Sequence, residues 1–266
     1  MPQVGIVGKP NTGKSTFFAA LTLAPAKIAP YPFTTIETNK GVGYVRVECV
    51  CKELGVKDNP RNSRCINGIR YIPVEVIDVA GLVPDAWRGK GLGNKFLDEL
   101  RRADALIHVV DASGGTDPEG KPVKPGTHDP LEDVNFIEKE IIQWIIERFT
   151  RDWERHIRAL RHSRMPDQLD FLSKRLSGFS FNYKVVDAAL DAAYLSGKPV
   201  WEWGHEDIIR FVSNLVKMGK PLLIAANKAD IPIAQDNIKR MIKAVSYTHL
   251  RAHETEADLV CRLLLE

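Results

Sequence analysis

The segment Gly8-Lys9-Pro10-Asn11-Thr12-Gly13-Lys14-Ser15 fits G-x-x-x-x-G-K-[ST] and constrains this chain more than any other feature. Such a loop works only between a buried strand and a helix, because its glycines must let backbone N–H groups converge on phosphate at the helix's positive end. The apolar run Val4–Val7 precedes it, and a helical pattern over about Lys14–Leu23 follows. Lys14 is placed to reach the β- and γ-phosphates, Ser15 to offer a hydroxyl to Mg²⁺, and Gly8, Thr12, Gly13 and Thr16 to line the same loop.

Two further motifs follow in order, each after an apolar strand. Asp78-Val79-Ala80-Gly81 ends the run Tyr71–Asp78; the carboxylate can hold Mg²⁺ through water, and the Gly81 N–H can sense a γ-phosphate. Asn227-Lys228-Ala229-Asp230 follows Pro221–Ala226. The Asp230 carboxylate can accept from guanine N1–H and N2–H₂, a donor pair that adenine lacks, while Lys228 would lie along the base. Between the first two motifs, Thr34 and Thr35 lie where a loop could donate a hydroxyl to Mg²⁺, and Thr35 is the preferred candidate. Leu82 directly after Gly81 carries no group that could orient an attacking water.

The remaining pattern organises the chain around these loops. Strands are expected at Gly43–Val50 and Ala105–Asp111, with a helix at about Asn94–Ala103. A purely helical pattern from Leu131 to about Gly204 interrupts the alternation of strand and helix. The expected fold is therefore α/β: a mostly parallel sheet with helices on both faces and an inserted α-helical domain. The expected division is a nucleotide domain over 1–130 and 205–244, with the insertion over 131–204.

Val245–Glu266 does not continue the pattern before it. It reads as the translation of a transposase-based sequencing adapter, with constant stretches encoding Val245–Glu254 and Leu259–Leu265 around a segment of index length. The expectation is a non-native tail over 245–266.

Composition narrows the class of protein. With 44% hydrophobic and 27% charged residues, the chain can build a core, and no apolar run reaches membrane-spanning length. The start Met1-Pro2-Gln3 runs straight into a strand with no room for a leader, so a cytoplasmic protein without membrane contact is expected. A net charge of only +3 confines any nucleic-acid contact to a local patch. Arg148, Arg151, Arg155, Arg158 and His162 recur at helical spacing and form one such stripe, either an RNA contact or a solvated face. Cys49, Cys51 and Cys65 could suggest zinc, but no fourth ligand is evident, and a strand would put Cys49 and Cys51 on one face. Ordinary thiols are the favoured reading, with a redox role open. His108 reads as a satisfied core residue, and Trp201 and Trp203 as packing at the return from the insertion. Nothing in the sequence sets an oligomeric state.

The segments GKPNTGKST, YPFTTIETN, DVAGLVPDAWRGKGLGNKFLDELRRADALIHVVDAS and NKAD resemble the Obg-like P-loop GTPases, specifically the YchF family in its archaeal form. The resemblance covers essentially Met1–Lys243. It implies a Ras-like G domain interrupted by a helical, coiled-coil-like domain and followed by a β-rich TGS domain. It also implies ribosome- or stress-related roles and ribosomal RNA as a partner. Bacterial and eukaryotic members resemble ATPases, with Glu in place of the Asp of NKxD; here Asp230 is present. The TGS domain and the loop completing the base pocket would fall beyond Lys243. The resemblance further suggests Asn11 as a ligand of K⁺, against the simpler reading that Asn11 only shapes the loop. The expected activity is a switch that binds GTP-Mg²⁺ and hydrolyses it slowly. ATP hydrolysis and a non-hydrolysing, nucleotide-gated ribosome-binding module are the alternatives.

Overall fold

The computed structural model describes residues 1–22, 39–88, 99–161, 165–244 and 249–252. Seven strands form one sheet: β1 (Gln3–Val7), β2 (Asn39–Glu48), β3 (Arg64–Ile66), β4 (Ile69–Asp78), β5 (Ala105–Asp111), β6 (Leu222–Asn227) and β7 (His249–Ala252). Their order is β2-β4-β1-β5-β6-β7, with β3 pairing beside β4. β1, β4, β5, β6 and β7 run parallel, while β2 and β3 pair antiparallel with β4. The sheet is thus mostly parallel, as expected, with an antiparallel edge.

The central strands read as continuous apolar runs because both faces are covered. On one face Ile6, Val76, Ile107, Val109 and Ala225 pack against Phe17 and Phe18 of helix α1 (Lys14–Thr22). On the other, Val7, Ile77 and Leu106 join a cluster that continues into the helical region. Register places the C-terminal ends of β1, β4, β5 and β6 on one edge of the sheet: Ile6 pairs with Asp78, Val7 with His108, and Asp111 with Asn227.

The helical stretch contains α3 (Pro130–Phe149), α4 (Trp153–Leu160), α5 (Met165–Leu176) and α6 (Tyr183–Ala192). Asp129 caps α3 by accepting from the Leu131 N–H at 3.1 Å, and Pro130 at the first position suits a helix start. α7 (His205–Gly219) returns the chain to β6, and α8 (Pro232–Ala244) follows it. Phe149, Trp203 and Phe211 stack at this return, with the Trp203 indole N–H donating to the Lys198 carbonyl at 3.1 Å. The expected packing of Trp203 is therefore present.

Three expectations are corrected. The basic stripe does not lie on one helix: α3 ends at Phe149, and Asp152 adopts φ +55°, so Arg148 and Arg151 precede the break while Arg155 and Arg158 lie on α4. Arg158 pairs with Glu154 at 3.5 Å; His162 lies outside the described residues. Cys49 and Cys51 do not share a strand, because β2 ends at Glu48 and Cys51 opens the short helix α2 (Cys51–Leu54). His108 is core, but its Nδ1 has no hydrogen-bond partner among the described residues, so it is not fully satisfied. Of the stretch 245–266, only β7 is described, and it extends the sheet beside β6. No helix among the described residues is long and apolar enough to cross a membrane.

Candidate functional site

The loop between β1 and α1 turns through positions that suit glycine. Gly8 has φ +147° and Gly13 φ +96°. A Cβ on Gly8 would meet the Val109 carbonyl at 2.4 Å, and one on Gly13 would meet Asn227 Nδ2 at 2.2 Å. Any side chain at Gly13 would therefore displace the Asn227 amide that ties the loop to the β6 end. Lys14 folds back over the loop, its Nζ donating to the Lys9 carbonyl at 2.8 Å. Thr12 Oγ1 donates to the same carbonyl at 3.1 Å, while Thr16 faces out exposed on α1.

Burial lowers the Lys14 pKa to about 8, with the Asp78 charge opposing the fall. Burial likewise raises the Asp78 carboxyl, against the Ser15 hydrogen bond, Lys14 and Asn39. His108 is held neutral, down to about 3, first by burial and then by Lys14 and Lys9. An anion entering this loop would meet a poorly solvated lysine whose charge it would stabilise.

Ser15 Oγ donates to Asp78 Oδ2 at 2.7 Å, and Asn39 Nδ2 donates to the same oxygen at 3.3 Å. Asp78 Oδ1 is buried without a partner among the described residues. An oxygen lone pair buried beside a serine hydroxyl fits a hard divalent cation, which takes oxygen ligands and keeps several waters. Ser15 and Asp78 therefore meet, as their motifs require; Thr35 lies outside the described residues.

The chain after Asp78 runs against the loop, with the Leu82 N–H donating to the Gly8 carbonyl at 3.1 Å. Gly81 is half-buried there, and the Leu82 side chain is 1% exposed, in the core. At the β6 end, Asn227 Nδ2 donates to the Thr12 carbonyl at 2.8 Å, so the third motif is anchored on the first. Lys228, at φ +59°, pairs with Asp111 at 2.7 Å, and Asp230 is exposed. Asn11 adopts φ +61° and donates from Nδ2 to the Gly120 carbonyl at 2.8 Å.

Sequence reasoning missed several residues at this edge. Asp111 orients Lys228 and accepts from Ser113. Lys9, fully buried, pairs with Asp133 of α3 at 2.8 Å and donates to the Thr116 carbonyl at 2.8 Å. Glu140 of α3 accepts from the N–H groups of Asp85 at 2.9 Å and Trp87 at 3.0 Å, capping a 3₁₀ turn at Ala86–Arg88. Asp111 had a local signal, a carboxylate at a strand end. Asp133 and Glu140 had none, because their partners lie far away in sequence.

A strand–loop–helix phosphate cradle, an Asp at a neighbouring strand end and a third loop closing on the first define a P-loop NTPase of Ras-like fold with an inserted helical region. The sequence model of the 50S ribosome-binding GTPase family matches residues 3–150. The chain belongs to that family, in its YchF/Obg-like branch. It is 51% identical over 243 residues to an uncharacterized GTP-binding protein of Methanocaldococcus jannaschii, covering 91% of this chain and 60% of that one. It is 33% identical over 261 residues to the ribosome-binding ATPase YchF of Bacillus subtilis, covering 97% of this chain and 64% of the relative. Among solved structures, a GTP binding protein from Pyrococcus horikoshii OT3 superposes with TM-score 0.76 at 35% identity, covering 98% of this chain and 66% of that one. The chain thus spans about three-fifths of the length of the curated relatives it matches.

Proposed function

We propose that the protein binds GTP with Mg²⁺ and hydrolyses it slowly, as a switch that acts on the ribosome. The observation that carries this reading is the Ser15–Asp78 contact with its buried free lone pair, sited under a loop that is itself tied to the NKAD segment. Gly8, Thr12, Gly13, Lys14 and Thr16 would hold the phosphates, and Asn227, Lys228 and Asp230 the guanine. Ser15 and Asp78, with Thr35, would hold Mg²⁺, which when bound would neutralise charge on the phosphates. Lys14 would take the charge that builds on the β–γ bridge and the γ-phosphate, and the Gly81 N–H would bond the γ-phosphate. Asp230 favours guanine over adenine because a carboxylate facing adenine finds no donor pair.

The test is equilibrium binding and single-turnover hydrolysis with GTP and ATP. GTP should bind at least about tenfold more tightly than ATP, and Asp230→Ala should erase the preference. Equal affinities in the parent chain would overturn the guanine assignment, and tighter binding of ATP would select the ATPase reading.

Asn11 is the proposed ligand of K⁺. Its Nδ2 is engaged with Gly120, so the ion would be held by Oδ1. Hydrolysis should be faster in potassium than in sodium buffer, and equal rates would refute the role.

A second reading is favoured by Leu82, whose buried side chain has no polar atom to offer water. In that reading nucleotide sets conformation and hydrolysis waits on the ribosome. A single-turnover rate that rises only when ribosomes are added would select it.

A further inference from the structure

Three cysteines, Cys49 just after β2, Cys51 at the start of α2 and Cys65 in β3, come together in space. Their Sγ atoms all lie within 4.8 Å of one another. The convergence depends on the chain turning at Val50 (φ −55°, ψ −21°) from strand into helix, which swings Cys51 towards Cys65. Cys51 Sγ and Cys65 Sγ are 3.6 Å apart, too far for a disulfide of about 2.05 Å. Bonds of about 2.3 Å from zinc to sulfur, at tetrahedral angles, place two sulfurs about 3.8 Å apart. A further donor stands beside them: Asp58 Oδ2 accepts from the Cys49 thiol at 3.1 Å, outside the group of mutually close ligand atoms, and would have to shift to complete a site. Arg70 pairs with the same carboxylate.

The surroundings give a physical reason for a staple. From Cys49 to Gly68 only Cys49 is buried, and α2 buries no residue. Val50, Leu54 and Val56 are 58%, 68% and 58% exposed. A lobe that cannot bury its apolar residues lacks the usual source of stability, and small lobes of this kind are held by disulfides or by metal.

We propose that Cys49, Cys51 and Cys65, with Asp58 as fourth donor, bind one structural Zn²⁺ ion that holds the β2–β3 lobe. Three soft sulfurs and one carboxylate suit zinc in a closed tetrahedral site and do not suit Mg²⁺ or Ca²⁺. Binding displaces three thiol protons, so Zn²⁺ and the four ligands form a centre of charge −2, partly offset by the Arg70 guanidinium. β4 runs from the lobe to Asp78, so the zinc lies about 30 Å from the Mg²⁺ position and the two sites are separate.

The test uses the full chain, loaded with zinc, desalted and analysed for metal by mass spectrometry, then reloaded with Co²⁺ for absorption spectroscopy. The expected results are one zinc per chain and, with cobalt, a sulfur-to-metal charge-transfer band with intense tetrahedral d–d bands. Both should vanish in Cys51→Ser and Cys65→Ser and persist in Cys261→Ser. Asp58→Ala should weaken zinc at least about tenfold in competition with a chromophoric chelator. Far less than one zinc in the folded parent chain, or a cobalt spectrum without the thiolate band, overturns the proposal, even if the cysteine variants fail to fold. A band unchanged in Cys51→Ser overturns it too. Unchanged affinity in Asp58→Ala overturns the four-ligand site.

Discussion

Lys14 is a cation that the fold keeps poorly solvated, and its behaviour with pH follows from that. Folding lowers its pKa from 10.5 to about 8, so the unfolded chain binds the extra proton between those values. Stability of the nucleotide-free protein therefore gains from this group as pH rises from about 8 to about 10.5. A bound triphosphate reverses the preference, because its charge favours the ammonium. Above about pH 8 the free protein must take up a proton to bind, so affinity should fall by up to about tenfold per pH unit. Titration of a fluorescent GTP analogue between about pH 7.5 and 9 measures the slope, with Lys14→Met as reference. A slope that is the same in both proteins would remove Lys14 as its origin. The positions of Gly8, Gly13, Lys14 and Ser15 were legible in sequence because their constraint is local: a tight loop between strand and helix. The unpartnered nitrogen of His108 was not legible, since it depends on which side chains from other strands surround it.

The proposed site lies at the strand ends, and α3 connects it to the helical region. β1, β4, β5 and β6 were readable as apolar runs, and their parallel arrangement followed from alternation with helices, whereas their order in the sheet did not. The excursion through α2 and β3 was not, because four- and three-residue elements have no periodicity to detect, and the cysteine cluster depends on that turn. Glu140 was equally hidden, since its role rests on backbone groups more than fifty residues away. Those two N–H groups belong to the segment just after Asp78–Gly81. Removing the acceptor leaves them without a partner at a cost of about 1–3 kcal/mol. Glu140→Ala should therefore loosen the 3₁₀ turn at Ala86–Arg88 and lower the urea midpoint, and Glu140→Gln should do less of both. Amide exchange at Asp85 and Trp87 is the specific readout. If exchange there is unchanged in Glu140→Ala, Glu140 does not hold the turn.

Taken together, α3 touches the nucleotide edge at two places. Asp133 near its start pairs with Lys9 inside the phosphate loop, and Glu140 two turns on caps the segment after Gly81. The second is a region whose backbone responds to a γ-phosphate in switches of this kind, and the first is the loop that would hold the phosphates. The remainder of α3 is packed into the helical cluster through Ile137, Ile141, Trp144, Ile145 and Phe149, so a shift at its start cannot be absorbed locally in a close-packed core. The β2–β3 lobe lies at the opposite end of β4 and shares none of these contacts. Exchange of GDP for a non-hydrolysable GTP analogue should therefore change amide protection in 85–88 and along 130–149, and leave 49–66 as it was. Hydrogen exchange read by mass spectrometry checks all three segments in one experiment. Equal protection of 130–149 in the two nucleotide states would mean that the Lys9–Asp133 and Glu140 contacts hold α3 in place without transmitting the state of the site.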